Sequence, residues 1–334
     1  MIDRLGKAGR RIAGFGFSSV CCGADRAGGR RASGARAGLV ALGCFALALV
    51  TLLAGSSDAL AVAGQPLPGQ LGMQEPVTQV AAAIHWFHDF VNIIIIAITI
   101  FVLLLLLWVI VRYNEKANPT PARFTHNTTV EVLWTVLPML ILVVIAIPSF
   151  KLLFLQYDYP KPDLTIKATG YQWYWSHEYP DQGGIKFDSV MLQDNEREAR
   201  IKRGIDAPRL LAVDNEVVVP VNKVVHVLVT ASDVIHNWTV PSFGSKVDAV
   251  PGRVTATWFK ATKEGVFYGQ CSELCGKDHA FMPIAVRVVK DEVFNNWAAA
   301  VKARDRKKAR EIIEKAALEL GTPTNVAAAA AAVR

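Results

Sequence analysis

Two stretches, residues 90–111 and 132–150, are nearly unbroken runs of Ile, Leu, Val, Phe and Ala. A helix needs about 20 residues to cross a hydrocarbon core, and the runs predict a hairpin of two membrane helices, about 90–111 and 132–153, within residues 89–156. Flanking charge orients the hairpin. No Lys or Arg lies between Pro66 and Asp89, whereas the connection carries Arg112, Lys116 and Arg123, and short cationic loops stay in the cytoplasm. Trp86 and Phe87 at one mouth, and Trp108, Tyr113 and Trp134 at the other, suit the aromatic belts of a bilayer interface. Pro138 and Pro148 interrupt the hydrogen bonding of the second run. Lipid tolerates that where neighbouring helices repair the loss, so docking to a larger membrane partner is expected.

From Asp163 the texture changes to short runs rich in Val, Thr, Tyr and Trp between turn residues: 164–168, 171–175, 216–219, 223–230, 254–259, 266–270 and 284–289. They predict an antiparallel all-β sandwich or barrel over residues 160–290. Residues 291–318 read as helix, with Phe294 and Trp297 early; in the later charged part Asp305, Glu311 and Glu314 interleave with basic residues as on a solvated face. The Ala-rich end of 291–334 reads as a flexible tail. At the other end, Arg10, Arg11, Arg26, Arg30, Arg31 and Arg36 precede an apolar run at 39–53 and then Ala61, Val62 and Ala63. Basic, apolar and small residues in that order mark an export leader, and the run is short for a span. Residues 1–63 are therefore read as a signal peptide cleaved near Ala63, leaving 64–88 as an exported segment.

Composition agrees with a membrane location: 52% of the 334 residues are hydrophobic and the mean hydropathy is +0.28, too apolar for an ordinary soluble chain. The net charge of +7 is confined to the ends, since the 16 basic and 16 acidic residues of 152–290 cancel. A neutral folded domain gives no footprint for nucleic acid, and no such partner is expected. Of five cysteines, Cys21, Cys22 and Cys44 fall in the leader. Only Cys271 and Cys275 would remain.

Two cysteines four apart in an exported domain suit a disulfide as well as a metal site. Their neighbours point to metal. His279 and Met282 follow Cys275, His236 lies upstream, and a disulfide has no use for an imidazole or a thioether. Cys, His and Met together form the soft, mixed set of copper electron-transfer sites; zinc would accept Cys271, Cys275, His279 and His236 but leave Met282 idle. Two close thiolates can bridge two copper ions, with one imidazole left for each. Phe267, Tyr268 and Phe281 flank the loop and are expected to keep water from the sulfurs. Taken singly, His236 would be a strand-end histidine, Met282 ordinary core, and Glu273 a solvated carboxylate.

The stretch Gly269-Gln-Cys-Ser-Glu-Leu-Cys-Gly-Lys-Asp-His-Ala-Phe-Met-Pro283 resembles the CuA signature of cytochrome c oxidase subunit II. Asp233-Val-Ile-His-Asn-Trp-Thr-Val-Pro241, Asp248-Ala-Val-Pro-Gly-Arg253 and Gly170-Tyr-Gln-Trp-Tyr-Trp-Ser-His-Glu-Tyr179 are similar to other stretches of that family, and the likeness runs from about His85 to about Trp297. The resemblance implies a two-helix transmembrane hairpin, an all-β cupredoxin-like sandwich or barrel and a short C-terminal helix, in a bacterial inner membrane with the β domain periplasmic. It implies that His236, Cys271, Cys275, His279 and Met282 bind a dinuclear copper centre by side chain and Glu273 by its carbonyl, the Glu273 carboxylate reaching a magnesium ion shared with subunit I.

Carried over in the same way, Trp173 takes electrons from cytochrome c, and Glu131 marks the mouth of a proton pathway. Electrons pass on to haem and CuB in subunit I, where dioxygen is reduced to water and protons are pumped. The implied partners are subunits I and III, membrane lipid and a separate cytochrome c, since the chain has no Cys-x-x-Cys-His of its own. Trp173 and Trp175, two apart, are expected to share a strand face with Tyr171, where the family commonly carries His. Asp233, Glu178 and Asp181 are candidates for an acidic patch steering a basic cytochrome; His85 and His88 take an interfacial place. Quinol-oxidase relatives lack the copper cysteines, and an anchored copper chaperone would need neither the aromatic 172–175 stretch nor two docking spans.

Overall fold

The computed structural model describes residues 64–319 apart from Pro68 and Pro121; the expected leader and tail lie outside the described residues. Two long helices come first, α1 (Gln79–Arg112) and α2 (Thr128–Tyr157). Their apolar side chains, Phe101, Leu104, Leu137 and Leu142 among them, point outward, as lipid-facing helices require. Pro138 and Pro148 lie inside α2 without ending it. α1 begins well before the apolar run that predicts it. The Thr78 hydroxyl caps it by accepting from the Ala81 amide at 3.0 Å, and Val77, Val80 and Ala81 are buried, so the first turns belong to the β domain's core.

Among the described residues ten strands follow: β1 (Leu164–Tyr171), β2 (Tyr174–Tyr179), β3 (Ile185–Ser189), β4 (Val217–Pro220), β5 (Val225–Ala231), β6 (His236–Val240), β7 (Ser245–Ala249), β8 (Thr255–Phe259), β9 (Gly265–Gln270) and β10 (Pro283–Val289). α3 (Asp194–Lys202) is inserted between β3 and β4, and α4 (Asp291–Lys302) and α5 (Arg306–Glu319) close the described chain. One sheet has the order β3-β2-β1-β5-β8, a second β4-β10-β9, and β6 pairs with β7. Leu164, Ile166 and Ala168 alternate inward along β1, and β10 is buried at every position, as expected for a strand central in its sheet and covered on both faces. Two apolar helices, a β sandwich and C-terminal helix are thus the fold the sequence predicts.

The details depart from it in four places. The pairing is mixed, because β1–β5 and β4–β10 run parallel. Residues 171–175 are no strand: Tyr171 pairs with Tyr174 across a hairpin, their rings stack at 4.8 Å, and Gln172 and Trp173 form the turn between. Trp175 is buried within β2, whereas Trp173 lies in the turn, half-buried against the edge of the core, so the two share no strand face. β2, β3, β6, β7 and α3 had no counterpart among the predicted runs. The single helix expected over 291–318 is broken where Arg304 adopts φ 59° and Asp305 caps α5 by accepting from the Lys308 amide at 2.9 Å.

The hairpin meets the β domain at two seams. At the start of α1, Val77 donates to the Ser242 carbonyl at 3.0 Å and accepts from the Thr262 amide at 2.9 Å, and the Thr78 hydroxyl donates to the Phe243 carbonyl at 2.7 Å. At the end of α2, the Trp258 indole donates to the Gln156 carbonyl at 3.2 Å and the Tyr159 hydroxyl to the Ala256 carbonyl at 2.8 Å. Beneath the second sheet, Arg287, only 3% exposed, forms a bidentate pair with Glu216, Nη2 donating to Oε1 at 2.9 Å. Arg200 of the insertion lies 3.7 Å from the same carboxylate and ties α3 to the sheet.

Candidate metal centre

β9 ends at Gln270 and β10 begins at Pro283, so the antiparallel pair is joined by residues 271–282, which fold back over the start of β6. Cys271, Cys275 and Met282 are buried, as is His236 at the first position of β6. Cys271 Sγ lies 3.9 Å from Cys275 Sγ, 3.9 Å from His236 Nδ1 and 3.3 Å from the Glu273 carbonyl oxygen. Cys275 Sγ lies 3.4 Å from His279 Nδ1 and 3.5 Å from Met282 Sδ. All six predicted ligands converge, with Glu273 turning its carbonyl in and its carboxylate out to solvent. The thiols are free, and their separation is far above the ~2.05 Å of a disulfide.

The donor set suits copper. A metal–thiolate bond is about 2.3 Å, so a 3.9 Å gap between sulfurs lets one ion touch both. Thiolate, thioether and imidazole are soft or borderline donors, the mixture that selects copper. The ligand atoms of His236, Cys271 and Cys275 all lie within 4.8 Å of one another.

The surroundings bias the protons. Burial pushes the Cys271 thiol up, but hydrogen bonds with the His236 ring and with the backbone of Asn237 and Glu273 outweigh that and bring it to about 7. Burial pushes Cys275 up to about 12, helped by charge on Cys271; the pair thus sheds one proton readily and holds the second. Burial lowers the pKa of His236, yet the Cys271 and Asp233 partners hold it above the ordinary imidazole value. Its Nε2 lies 2.8 Å from Asp233 Oδ1, which leaves Nδ1 for the sulfurs. Trp175 stands edge-on to His236 at 6.0 Å and donates its indole N–H to the Met282 carbonyl at 3.3 Å. Of the three aromatics expected to keep water from the sulfurs, Phe267 is buried in one cluster with Cys271, Cys275 and Met282, whereas Tyr268 lies with Val213 and Ala285 in a separate cluster and Phe281 is exposed. Trp175 packs beside the imidazole as well.

Trp173 sits against the loop. Its indole N–H donates to the Cys275 carbonyl at 3.2 Å, and Gln172 Nε2 donates to the same oxygen at 2.9 Å. Gly276, at φ +118°, lets the chain pass the indole; a Cβ there would lie 3.1 Å from Trp173 Cζ2. Gly170 serves His236 likewise, since a Cβ would stand 2.8 Å from the ring's Cδ2. Lys277 Nζ lies 5.9 Å from the Trp173 ring centroid.

The remaining candidates lie elsewhere. Glu131 is in the first turn of α2, where its carboxylate accepts from the amide of Asn127, the helix cap, at 3.3 Å. Asp181 accepts from the Thr165 amide at 2.8 Å, at the end of β1 away from Tyr171, about 20 Å off at ~3.3 Å per residue. Asp181 is therefore remote from Asp233, which holds the Gln172 amide, and Glu178, opposite Lys167 of β1, lies between the two. Gly170, Gln172 and Trp175 went unassigned in the sequence reading; the Asp-x-x-His spacing of Asp233 and His236 was the available signal for an orienting carboxylate.

Residues 164–289 match the family described as cytochrome C oxidase subunit II, periplasmic domain, and residues 66–152 the corresponding transmembrane domain. A probable cytochrome c oxidase subunit 2 of Rickettsia bellii is 52% identical over 238 residues, covering 71% of this chain and 86% of that protein. Cytochrome c oxidase subunit 2 of Cereibacter sphaeroides is 48% identical over 269 residues, or 77% of this chain and 88% of the relative. Among solved structures, the periplasmic domain of subunit II of cytochrome oxidase (CoxB) of Bradyrhizobium japonicum is 61% identical and covers 44% of this chain and 98% of its own, with a TM-score of 0.40.

Proposed function

Because the chain belongs to the cytochrome c oxidase subunit II family, we propose that it is the electron inlet of its complex, taking electrons from cytochrome c and delivering them to subunit I. Membership makes it a membrane-bound part of a terminal oxidase, with a periplasmic β domain. Family and the His/Cys/Cys group together point to copper. The finer reading is a dinuclear centre held by His236, Cys271, Cys275, His279, Met282 and the Glu273 carbonyl. Copper bound there supplies reversible one-electron chemistry.

The residues prepare that chemistry. Cys271 and Cys275 present two sulfurs from one short loop, so little rearrangement accompanies a change of charge. Buried Met282 and Trp175 exclude water, which keeps the local dielectric low and helps set the potential. Trp173, hydrogen-bonded to the Cys275 carbonyl, provides a through-bond route from the surface to a ligand, and this contact supports its role as inlet. Onward transfer reaches haem and CuB in subunit I, where dioxygen is reduced and protons are pumped. The outward Glu273 carboxylate is free for a magnesium ion shared with subunit I; Glu131, at the cytoplasmic mouth of α2, takes up protons for one pathway. Subunit III and lipid cover further faces of the hairpin, and residues 1–63 are the leader removed on export.

One observation carries this reading: four candidate donors, from loop and strand, meet around two sulfurs 3.9 Å apart. The test is spectroscopy of the purified, copper-loaded complex, which should show one unpaired electron shared equally by two coppers. A single-copper signal, or zinc in its place, refutes it. Trp173→Phe should slow electron input from cytochrome c at unchanged copper content; loss of copper would make Trp173 structural.

A further inference from the structure

Asp233 stands three residues before His236, its side chain 31% exposed, where a charge available to a docking cytochrome would sit. Its oxygens are already engaged. Oδ1 accepts from the Val234 amide at 2.7 Å and lies 2.8 Å from His236 Nε2, while Oδ2 accepts from the Gln172 amide at 2.7 Å. The first oxygen holds the imidazole whose other nitrogen faces Cys271; the second holds the turn that carries Trp173. That turn in turn grips the other cysteine, through the donors of Gln172 and Trp173 on the Cys275 carbonyl. The Gly170 backbone packs so close to the Cδ2 edge of the ring that no side chain fits there. That contact limits tilting of the imidazole on the Gly170 side.

We propose that Asp233 is a positioning residue that ties the His236 imidazole to the Gln172–Trp173 turn, so that one carboxylate fixes both the ligand's orientation and the seating of the inlet tryptophan. A carboxylate at Nε2 keeps the proton there, presents the Nδ1 lone pair to the metal side and raises the ring's basicity. The proposal rests on the copper reading. Asparagine cannot replace the carboxylate. It offers one acceptor oxygen and one donor NH2, so it can serve either His236 and Val234 or Gln172, and the NH2 meets another donor on the side it fails.

The test compares the intact oxidase complex with one carrying Asp233→Asn. Copper affinity against a chelator should fall about 10- to 100-fold, the range for loss of a ligating histidine's outer partner, with altered histidine nitrogen couplings in the copper signal. Electron input should slow at saturating cytochrome c, by a factor that salt does not change. Unaltered affinity and couplings, with only a raised KM and weaker salt dependence, would mean that Asp233 is a docking charge and overturn the proposal. If the variant does not assemble, the unmutated complex decides: the remote N–H proton of His236 should exchange slowly with deuterated solvent, and a rapidly exchanging one overturns the tether. A wild-type complex without the two-copper signal would sink the copper reading itself, a result separate from either.

Discussion

His177 on β2 is fully enclosed, with Nδ1 3.0 Å from Ser189 Oγ and no partner for Nε2 among the described residues. Ser189 spends its own proton on the Asn215 carbonyl at 2.7 Å, so Nδ1–H donates to Oγ and the bare lone pair is on Nε2. Burial accordingly pushes the ring's pKa down to about 3. In the unfolded chain histidine titrates near 6.5. Below that value the unfolded state takes up a proton that the folded state refuses, so this contribution to stability is complete above about pH 6.5 and drains away as pH falls toward 3. From about pH 7.5 to about pH 5 the loss is roughly 1.5 units at 1.36 kcal/mol, or about 2 kcal/mol. Urea unfolding of the copper-free chain in detergent, followed by tryptophan fluorescence at both pH values, measures it. His177→Asn keeps a donor near the Nδ1 position and cannot titrate. Its cavity lowers stability equally at both pH values, so wild type should lose about 2 kcal/mol more than the variant on acidification. Equal losses would refute the buried neutral imidazole.

Glu216→Gln strands the Arg287 charge in the interior and should cost about 3–5 kcal/mol in the same unfolding assay; a cost below about 1 kcal/mol would show that another group takes over the guanidinium. Gly170→Ala drives a methyl into the His236 ring, so copper affinity should drop while far-ultraviolet dichroism stays unchanged; full copper retention with an unchanged spectrum would contradict the close approach. Glu131→Gln keeps an acceptor for the Asn127 amide and hence the helix cap, so it should slow steady-state turnover without changing the rate of electron input. Unchanged turnover would refute the proton role.

The membrane spans were legible because each apolar run is as long as a bilayer core demands, yet the start of α1 was not. Val77, Val80 and Ala81 are too few and too small to make an apolar run, and they gain meaning only against the Ser242–Gly244 turn. β-branched runs at β4, β5 and β10 were equally readable. β3, β6 and β7 were hidden because buried Ser189, Asn237 and Ser245 break the alternation, Asn237 being satisfied across the hairpin by Asp248 at 2.6 Å. Hydropathy carries no information on which strands pair, so the parallel partners were out of reach. The cluster of Cys271, Cys275, His279 and Met282 was legible from residue type and spacing, whereas the Glu273 carbonyl came only with the family resemblance. The tether was not legible, because the Gln172 amide that gives Asp233 its second partner is 61 residues away in sequence.

The two seams between the hairpin and the β domain also govern distance. Electron tunnelling weakens steeply with separation, so a relay on a swivelling stalk would deliver charge erratically. Here the Thr78 seam ties one helix to the β domain and the Trp258–Gln156 seam the other, and two separate ties oppose a nodding motion that one would leave free. The spans therefore act as a gauge block: whatever seats them in the bilayer also sets the altitude of the sulfur pair above it.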